Sequence, residues 1–146
     1  MQDKRWKEQI RNSLNGNKIN MPKGLKVLIV EDSTLYRKLL KDTLLSKFSS
    51  FEISEAANGE EALLKSNSQL PELIFMDIKL PGENGLEITA KIKAKYPDVI
   101  VVMLTSYDTP EYRDAAVQAK ANYFLSKGSS NREDILTLVE TILAGL

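Results

Sequence analysis

The sequence predicts an α/β fold in which one parallel sheet of five strands is covered by helices on both faces. Three observations carry that prediction. Short apolar runs recur, five strands in all are each followed by a helical pattern, and most of the runs, though not 51–56, are continuously apolar rather than alternating, as strands buried on both faces require. A length of 146 residues, 42% hydrophobic and 27% charged, suits about one globular domain with a real core.

The elements follow in order from residue 25. Residues 25–30 supply Leu25, Val27, Leu28, Ile29 and Val30 as a first strand. A helix over 34–47 carries Leu35, Leu39, Leu40 and Leu44 as its apolar stripe. A second strand spans 51–56, and a short helix over 59–66 contains Ala62 and Leu63. The third strand is 73–76, and a loop through Pro81-Gly82 leads to a helix over 85–95 that stops at Tyr96-Pro97-Asp98. Residues 99–104 form the fourth strand. Pro110 then opens a helix reaching about Lys120, because a missing N–H costs nothing in a first turn. Residues 123–125 are the fifth strand, and a helix over 131–143 buries Ile135, Leu138, Val139 and Ile142. There is no internal repeat and no low-complexity tract.

Five such βα units predict a flavodoxin-like, doubly wound (βα)5 arrangement with strand order 2-1-3-4-5. Its chain reversal lies between strands 1 and 3, and ligands bind beyond the carboxyl ends of the strands at that point. Glu31 and Asp32 follow the first strand, Asp77 the third, Thr105 the fourth and Lys127 the fifth. Neighbouring strands lie about 4.8 Å apart, so the carboxylates can share one cation. Unpaired, they would repel and raise one another's proton affinity. Mg²⁺ suits them best, since it takes a few carboxylates, keeps several waters and favours phosphate oxygens. Asp77 could offer one oxygen to the metal and the other as nucleophile. Metal and Lys127 would neutralise a phosphoryl group in transfer, with Thr105 bonding one of its oxygens. Each residue alone has a plainer role: Glu31-Asp32-Ser33-Thr34 as a helix cap, Thr105-Ser106 as a loop, Lys127-Gly128 as a turn. Their convergence on one sheet edge favours the shared site.

Composition removes other chemistries. The absence of cysteine excludes disulfides and thiolate metal sites; the absence of histidine excludes a His-based triad, the usual zinc ligands and a phosphohistidine carrier. No stretch approaches the roughly 20 apolar residues of a membrane span and no signal-peptide core follows Met1, so the cytoplasm is the expected compartment. Twenty basic and twenty acidic residues cancel, which gives no global pull toward nucleic acid or anionic membrane. The charge is nonetheless uneven. Residues 1–24 hold six basic groups against Asp3 and Glu8, a net of +4, which leaves −4 on the remainder. Trp6, Ile10 and Leu14 recur there every four residues, so this extension is either a solvated tail or an amphipathic segment that docks on the acidic remainder or a partner.

Four stretches resemble the receiver domain of two-component response regulators: Val27-Leu28-Ile29-Val30-Glu31-Asp32; Phe75-Met76-Asp77-Ile78-Lys79-Leu80-Pro81-Gly82-Glu83-Asn84-Gly85; Leu104-Thr105-Ser106; and Phe124-Leu125-Ser126-Lys127. The similarity covers about residues 25–143, and the domain is assigned to 25–146 after the basic extension. The resemblance implies that Asp77 is the phosphoacceptor, taking phosphoryl from a sensor histidine kinase or a histidine phosphotransfer protein. It implies Mg²⁺ bound directly by Asp32 and Asp77, through water by Glu31, and by the Lys79 backbone carbonyl. Lys127 would pair with the phosphoryl group. Thr105 and Phe124 would form the switch pair, with Tyr123 a competitor for the aromatic role. Lys79 and Tyr107 would flank the phosphoryl group and modulate access to it.

Such a domain catalyses its own phosphorylation and dephosphorylation without being a conventional enzyme. It signals through protein contact at the face of the fourth helix, fifth strand and fifth helix, which would also serve a homodimer. A DNA-binding output would need roughly 60 further residues, so none is expected of this chain. The alternative is a receiver-like interaction module that is never phosphorylated. The sequence departs from the family at Gln118-Ala119-Lys120-Ala121-Asn122, where many members carry glycine; Asn122 is expected to adopt the unusual backbone angles there.

Overall fold

The structure, a computed structural model, describes residues 24–146; apart from Gly24, the basic extension and its Trp6-Ile10-Leu14 pattern lie outside the described residues. Ten elements alternate without exception: β1 (Lys26–Val30), α1 (Thr34–Lys47), β2 (Glu52–Ala56), α2 (Gly59–Gln69), β3 (Leu73–Met76), α3 (Gly85–Lys95), β4 (Ile100–Thr105), α4 (Pro110–Gln118), β5 (Tyr123–Ser126) and α5 (Arg132–Gly145). All strand pairs are parallel and the sheet order is β2-β1-β3-β4-β5, as the sequence predicts.

The continuous apolar strands are explained by two cores, one on each face. Val27 and Ile29 of β1 join Leu40 and Leu44 of α1 and Val139, Ile142 and Leu143 of α5. Leu28 and Val30, one residue out of phase, join Ile74 and Met76 of β3, Ala62 of α2 and Ile88 and Ile92 of α3. Each fully buried aliphatic side chain contributes about 1.5–3 kcal/mol, which is why the central strands β1 and β3 carry apolar residues on both faces from Val27 to Val30 and from Leu73 to Met76.

Every helix among the described residues starts on a side-chain cap. Ser33, Asn58, Asn84, Thr109 and Asn131 each accept a backbone N–H from the first turn, and Asn131 forms a reciprocal capping box with Asp134. Because all five helices begin at the carboxyl edge of the sheet, these caps fix the loops that carry the candidate site. Gly85 tightens one of them. A Cβ there would fall 1.8 Å from the Asp77 carbonyl oxygen, so glycine lets α3 close onto the loop after β3, where its N–H donates to the Ile78 carbonyl at 2.7 Å.

Four sequence expectations are corrected. Leu35 and Leu39 are 70% and 54% exposed; the inward stripe of α1 is Tyr36, Leu40 and Leu44, a phase that a leucine-rich helix leaves ambiguous. In α5, Leu136 and Leu143 are buried, whereas Leu138 is only partly covered. α2 runs three residues beyond 66 and ends on Leu70 in the left-handed region at φ 51°.

The turn before β5 uses Lys120 rather than Asn122 for the left-handed residue, at φ 68°. The reason is the end of α4: the Lys120 N–H donates to the Val117 carbonyl at 2.9 Å and the Ala121 N–H to the Ala116 carbonyl at 3.0 Å, the paired bonds of a Schellman motif with Lys120 at its left-handed position. Asn122 is occupied elsewhere. Its N–H donates to the Val101 carbonyl at 2.8 Å, and its Oδ1 accepts from the Val101 N–H at 2.9 Å and Lys93 Nζ at 3.1 Å. Asn122→Ala is expected to strip the Val101 N–H of its acceptor and lower unfolding stability by about 1–3 kcal/mol, measured as a shift in the urea midpoint.

Candidate functional site

The sheet ladders continue just past the strand ends, and that continuation places the acidic residues. The Glu31 N–H donates to the Ala56 carbonyl at 2.9 Å, the Asp77 N–H to the Val30 carbonyl at 3.1 Å and the Lys127 N–H to the Thr105 carbonyl at 2.8 Å. Three side chains from sequence-distant loops are thereby locked to backbone positions on one edge. One oxygen from each of Glu31, Asp32 and Asp77 lies within 4.8 Å of the others. Glu31 and Asp77 are buried, whereas Asp32 is exposed. This is the cluster expected from the chain reversal.

Lys127 bridges the two buried carboxylates. Its Nζ donates to Glu31 Oε1 and, at 2.9 Å, to Asp77 Oδ2. The second Glu31 oxygen accepts from the Ser33 N–H at 2.9 Å, and Asp77 Oδ1 accepts from the Ile78 N–H at 2.7 Å. Burial pushes the Glu31 carboxyl above its usual pKa, and the charge of Asp77 adds to that; the bonds from Lys127 and Ser33 oppose it without cancelling it. For Lys127, burial pulls the pKa down, but the hydrogen bonds and charges of Glu31 and Asp77 outweigh it and leave the ammonium harder to deprotonate than usual. One ammonium thus pairs with two buried carboxyl groups, and a third, Asp32, lies beside them. Hard oxygen donors, no softer ligand and one exposed carboxylate make a donor set that fits a hydrated divalent cation such as Mg²⁺.

Thr105 ends β4 fully buried, its hydroxyl accepting from the Tyr107 N–H at 3.3 Å. Phe124 lies in β5 opposite Met103 and is half-buried beneath the Arg113 guanidinium, 4.6 Å from its ring centroid. Arg113 in turn bonds Asp108 at 2.5 Å and holds that carboxylate below its ordinary pKa. Lys79 and Tyr107 do come together: Lys79 Nζ sits 5.2 Å from the Tyr107 ring and 5.8 Å from the Tyr112 ring.

Several neighbours were not anticipated. Arg37 donates through Nη1 to the Glu31 carbonyl at 2.6 Å and through Nε to Glu55 at 3.0 Å, bracing the β1–α1 loop against β2. The Tyr36 ring lies 4.2 Å from Lys127 Nζ. Tyr112, Asp108 and Arg113 complete the surroundings of Lys79 and Phe124. The available clue was positional: a helix starting two residues after an acidic pair puts its first turn over the same edge.

The response regulator receiver domain family matches residues 27–140, a span that contains all of these groups. The chain belongs to that family. Among curated relatives, the response regulator GacA of Pseudomonas protegens is 32% identical over 121 residues, covering 83% of this chain and 56% of GacA. A cyclic di-GMP phosphodiesterase of Thermotoga maritima is 40% identical over 101 residues, 69% of this chain and 26% of that protein. The chain thus spans about half the length of the first of these relatives and about a quarter of the second. Among solved structures, a CheY-like receiver domain protein of Methanospirillum hungatei superposes with a TM-score of 0.77 at 28% identity, covering 84% of this chain and 96% of that one. The chemotaxis protein CheY4 of Vibrio cholerae gives 0.74 at 28% identity, covering 82% and 98%. Among the described residues, no helix of this receiver is long and apolar enough to cross a membrane.

The excess of carboxylates over cations sets a cost on the fold. Asp32→Asn removes one repelling charge from the exposed side of the cluster and is expected to stabilise the metal-free protein by about 1 kcal/mol at low salt. Urea titrations at low and high NaCl check this, because the gain should shrink as salt screens the repulsion.

Proposed function

We propose that this receiver domain accepts a phosphoryl group on Asp77 and signals by the resulting change of shape. The observation that carries the reading is the Lys127 ammonium bridging Asp77 and Glu31 beside a third carboxylate, Asp32. In the proposed reaction Asp77 Oδ2, the oxygen now bonded to Lys127, attacks the phosphorus of a phosphohistidine on a sensor kinase or phosphotransfer protein. The new O–P bond forms as the P–N bond breaks, and the electron pair of that bond leaves on the imidazole, which takes a proton from solvent. Mg²⁺ would be held by Asp32 and Asp77 directly, by Glu31 through water and by the Lys79 backbone carbonyl. When bound it neutralises charge on the phosphoryl oxygens.

This chain's own groups do the rest. Lys127 exchanges its bond to the Asp77 carboxylate for one to a phosphoryl oxygen, which keeps a positive charge at the transferring group. Thr105 gives its hydroxyl to another phosphoryl oxygen and moves inward. Phe124 turns into the space Thr105 leaves, and the α4–β5–α5 face changes for a downstream protein or a second copy of the chain. Lys79 and Tyr107, with Tyr112 behind them, narrow the approach for water and so set how long the phosphoryl group persists. The reading places the domain in the cytoplasm, facing its kinase, with protein rather than DNA as the direct target of this domain.

Phosphate incorporation from acetyl phosphate tests the reading. Labelling is expected with Mg²⁺, not without it, and not in Asp77→Asn. If the folded protein takes no label from acetyl phosphate or from a partner kinase, the interaction-module reading replaces this one. Label that survives Asp77→Asn puts the chemistry on another residue. A second measurement addresses the cation. Lys127→Met removes the ammonium that competes for the same carboxylates, so Mg²⁺ affinity by calorimetry is expected to rise about tenfold while labelling slows.

A further inference from the structure

We infer that Tyr36 is a positioning residue for Lys127, its ring face seating the ammonium beside Asp77 while the phosphoryl group is captured. The inference rests on the Asp77 reading above and concerns how the lysine is held. Lysine is a point charge on a flexible four-carbon stem, and nothing in the stem fixes where the charge lies. Three groups hold it in this structure: Glu31 Oε1, Asp77 Oδ2 and the Tyr36 ring at 4.2 Å, well inside the roughly 6 Å reach of a cation–π contact.

The first two change partners during the proposed chemistry. Asp77 Oδ2 becomes the bridging oxygen of the acyl phosphate, and Glu31 turns toward metal-bound water. Of the three contacts, the ring is the one that capture does not consume. A ring face also attracts the ammonium without taking one of its N–H groups, so all three remain free for carboxylate and phosphoryl oxygens. A hydroxyl or carbonyl in the same place would compete with the substrate for those donors.

The ring itself is anchored. Tyr36 stands in the first turn of α1, and its N–H donates to Ser33 Oγ at 3.2 Å. Its side chain packs against the core formed by α1, α5 and one face of the sheet. The Arg37 bond to the Glu31 carbonyl fixes the same turn to the loop that carries the acidic pair. The platform and the carboxylates therefore share one rigid element, while the lysine arrives from the far side of β4.

The test compares Tyr36→Phe, which keeps the ring, with Tyr36→Leu, which keeps apolar bulk and loses the ring face. Maximal labelling rate and half-saturation are measured with acetyl phosphate and Mg²⁺, alongside affinity for beryllofluoride as a phosphoryl stand-in. Tyr36→Phe is expected to stay within about twofold of the parent. Tyr36→Leu is expected to lose about threefold to tenfold in maximal rate and in beryllofluoride affinity, with Mg²⁺ affinity unchanged. In a Lys127→Ala background the leucine substitution should have no further effect, which a packing defect would not reproduce. Tyr36→Leu matching the parent, Tyr36→Phe falling as far as Tyr36→Leu, or a full additional loss in the Lys127→Ala background would each overturn the inference. If Tyr36→Leu does not fold, Tyr36→Met replaces it under the same criteria. Failure of the underlying reading is seen separately, as a folded parent protein that takes no label, and it removes the inference as well.

Discussion

Three carboxyl groups held at the end of one sheet, two of them bridged by the Lys127 ammonium, form the constraint on which the rest of the site depends. The sheet brings Glu31 and Asp77 together because β1 and β3 are neighbours in register, Val30 opposite Met76, and their ladder runs one residue further than the strands. Nothing local to either loop would choose this proximity, since burial and mutual charge both raise the cost of ionising Glu31. The large apolar area buried on both faces of the strands can carry that cost, and Lys127 reduces it by pairing with both buried groups. The ammonium is therefore structural in the resting protein and, in the proposed function, chemical as well. It neutralises part of the cluster in the resting protein, and it already stands where a transferred phosphoryl group would need a positive charge.

Much of this was legible in the sequence, for a definable reason. Asp77 and Glu31 follow apolar runs so unambiguous that strand ends could be placed within a residue, and the order of parallel strands in such folds is narrowly restricted. The site residues are thus a consequence of topology, which periodicity encodes well. What was not legible depends on rotation about a helix axis or on what a side chain does once it arrives. Periodicity points Leu35 and Leu39 inward because α1 has apolar residues on more than half its circumference, but it cannot choose the phase, and both are exposed. That same error concealed Tyr36, which takes the inward position beside Lys127. Asn122 failed differently: its composition suits a left-handed turn, but the Val101 N–H and Lys93 claim its side chain, while the end of α4 forces Lys120 into that conformation. Tertiary demand overrode residue preference at both places.

Away from the carboxylates, two small assemblies govern what the edge can do. The Lys79 ammonium stands over both the Tyr107 and Tyr112 rings, which contact each other in a tilted arrangement with centroids 5.7 Å apart. Asp108, Arg113 and Phe124 form a second stack, in which an ion pair lays a guanidinium over the aromatic ring of β5. Both assemblies hang from the loop that begins at Thr105. Its hydroxyl accepts from Tyr107, one residue before Asp108. A displacement of Thr105 toward Asp77 would therefore disturb the rim and the Arg113 cover on Phe124 together. In the proposed function, access to the phosphoryl group and exposure of the output face are coupled through this single loop rather than through the core.

The core is in fact poorly suited to carry such a change. Its central strands β1, β3 and β4 are buried on both faces, and close-packed interiors resist gradual deformation. The helix starts resist it too, since each is pinned by its own cap, and Gly85 draws α3 against the Asp77 carbonyl with no space to spare. What remains free to respond is a set of side chains on loops after rigid strands, where an electrostatic event at Asp77 can be read without remaking the sheet. The half-buried, half-covered position of Phe124 meets that requirement: its ring has a cation above it that an ion pair holds only from the exposed side. Surface ion pairs of this kind contribute little, because solvent screens them. The cover over the ring is therefore weak enough for one new bond at Thr105 to shift, while the scaffold that positions Asp77, Glu31 and Lys127 stays as it is.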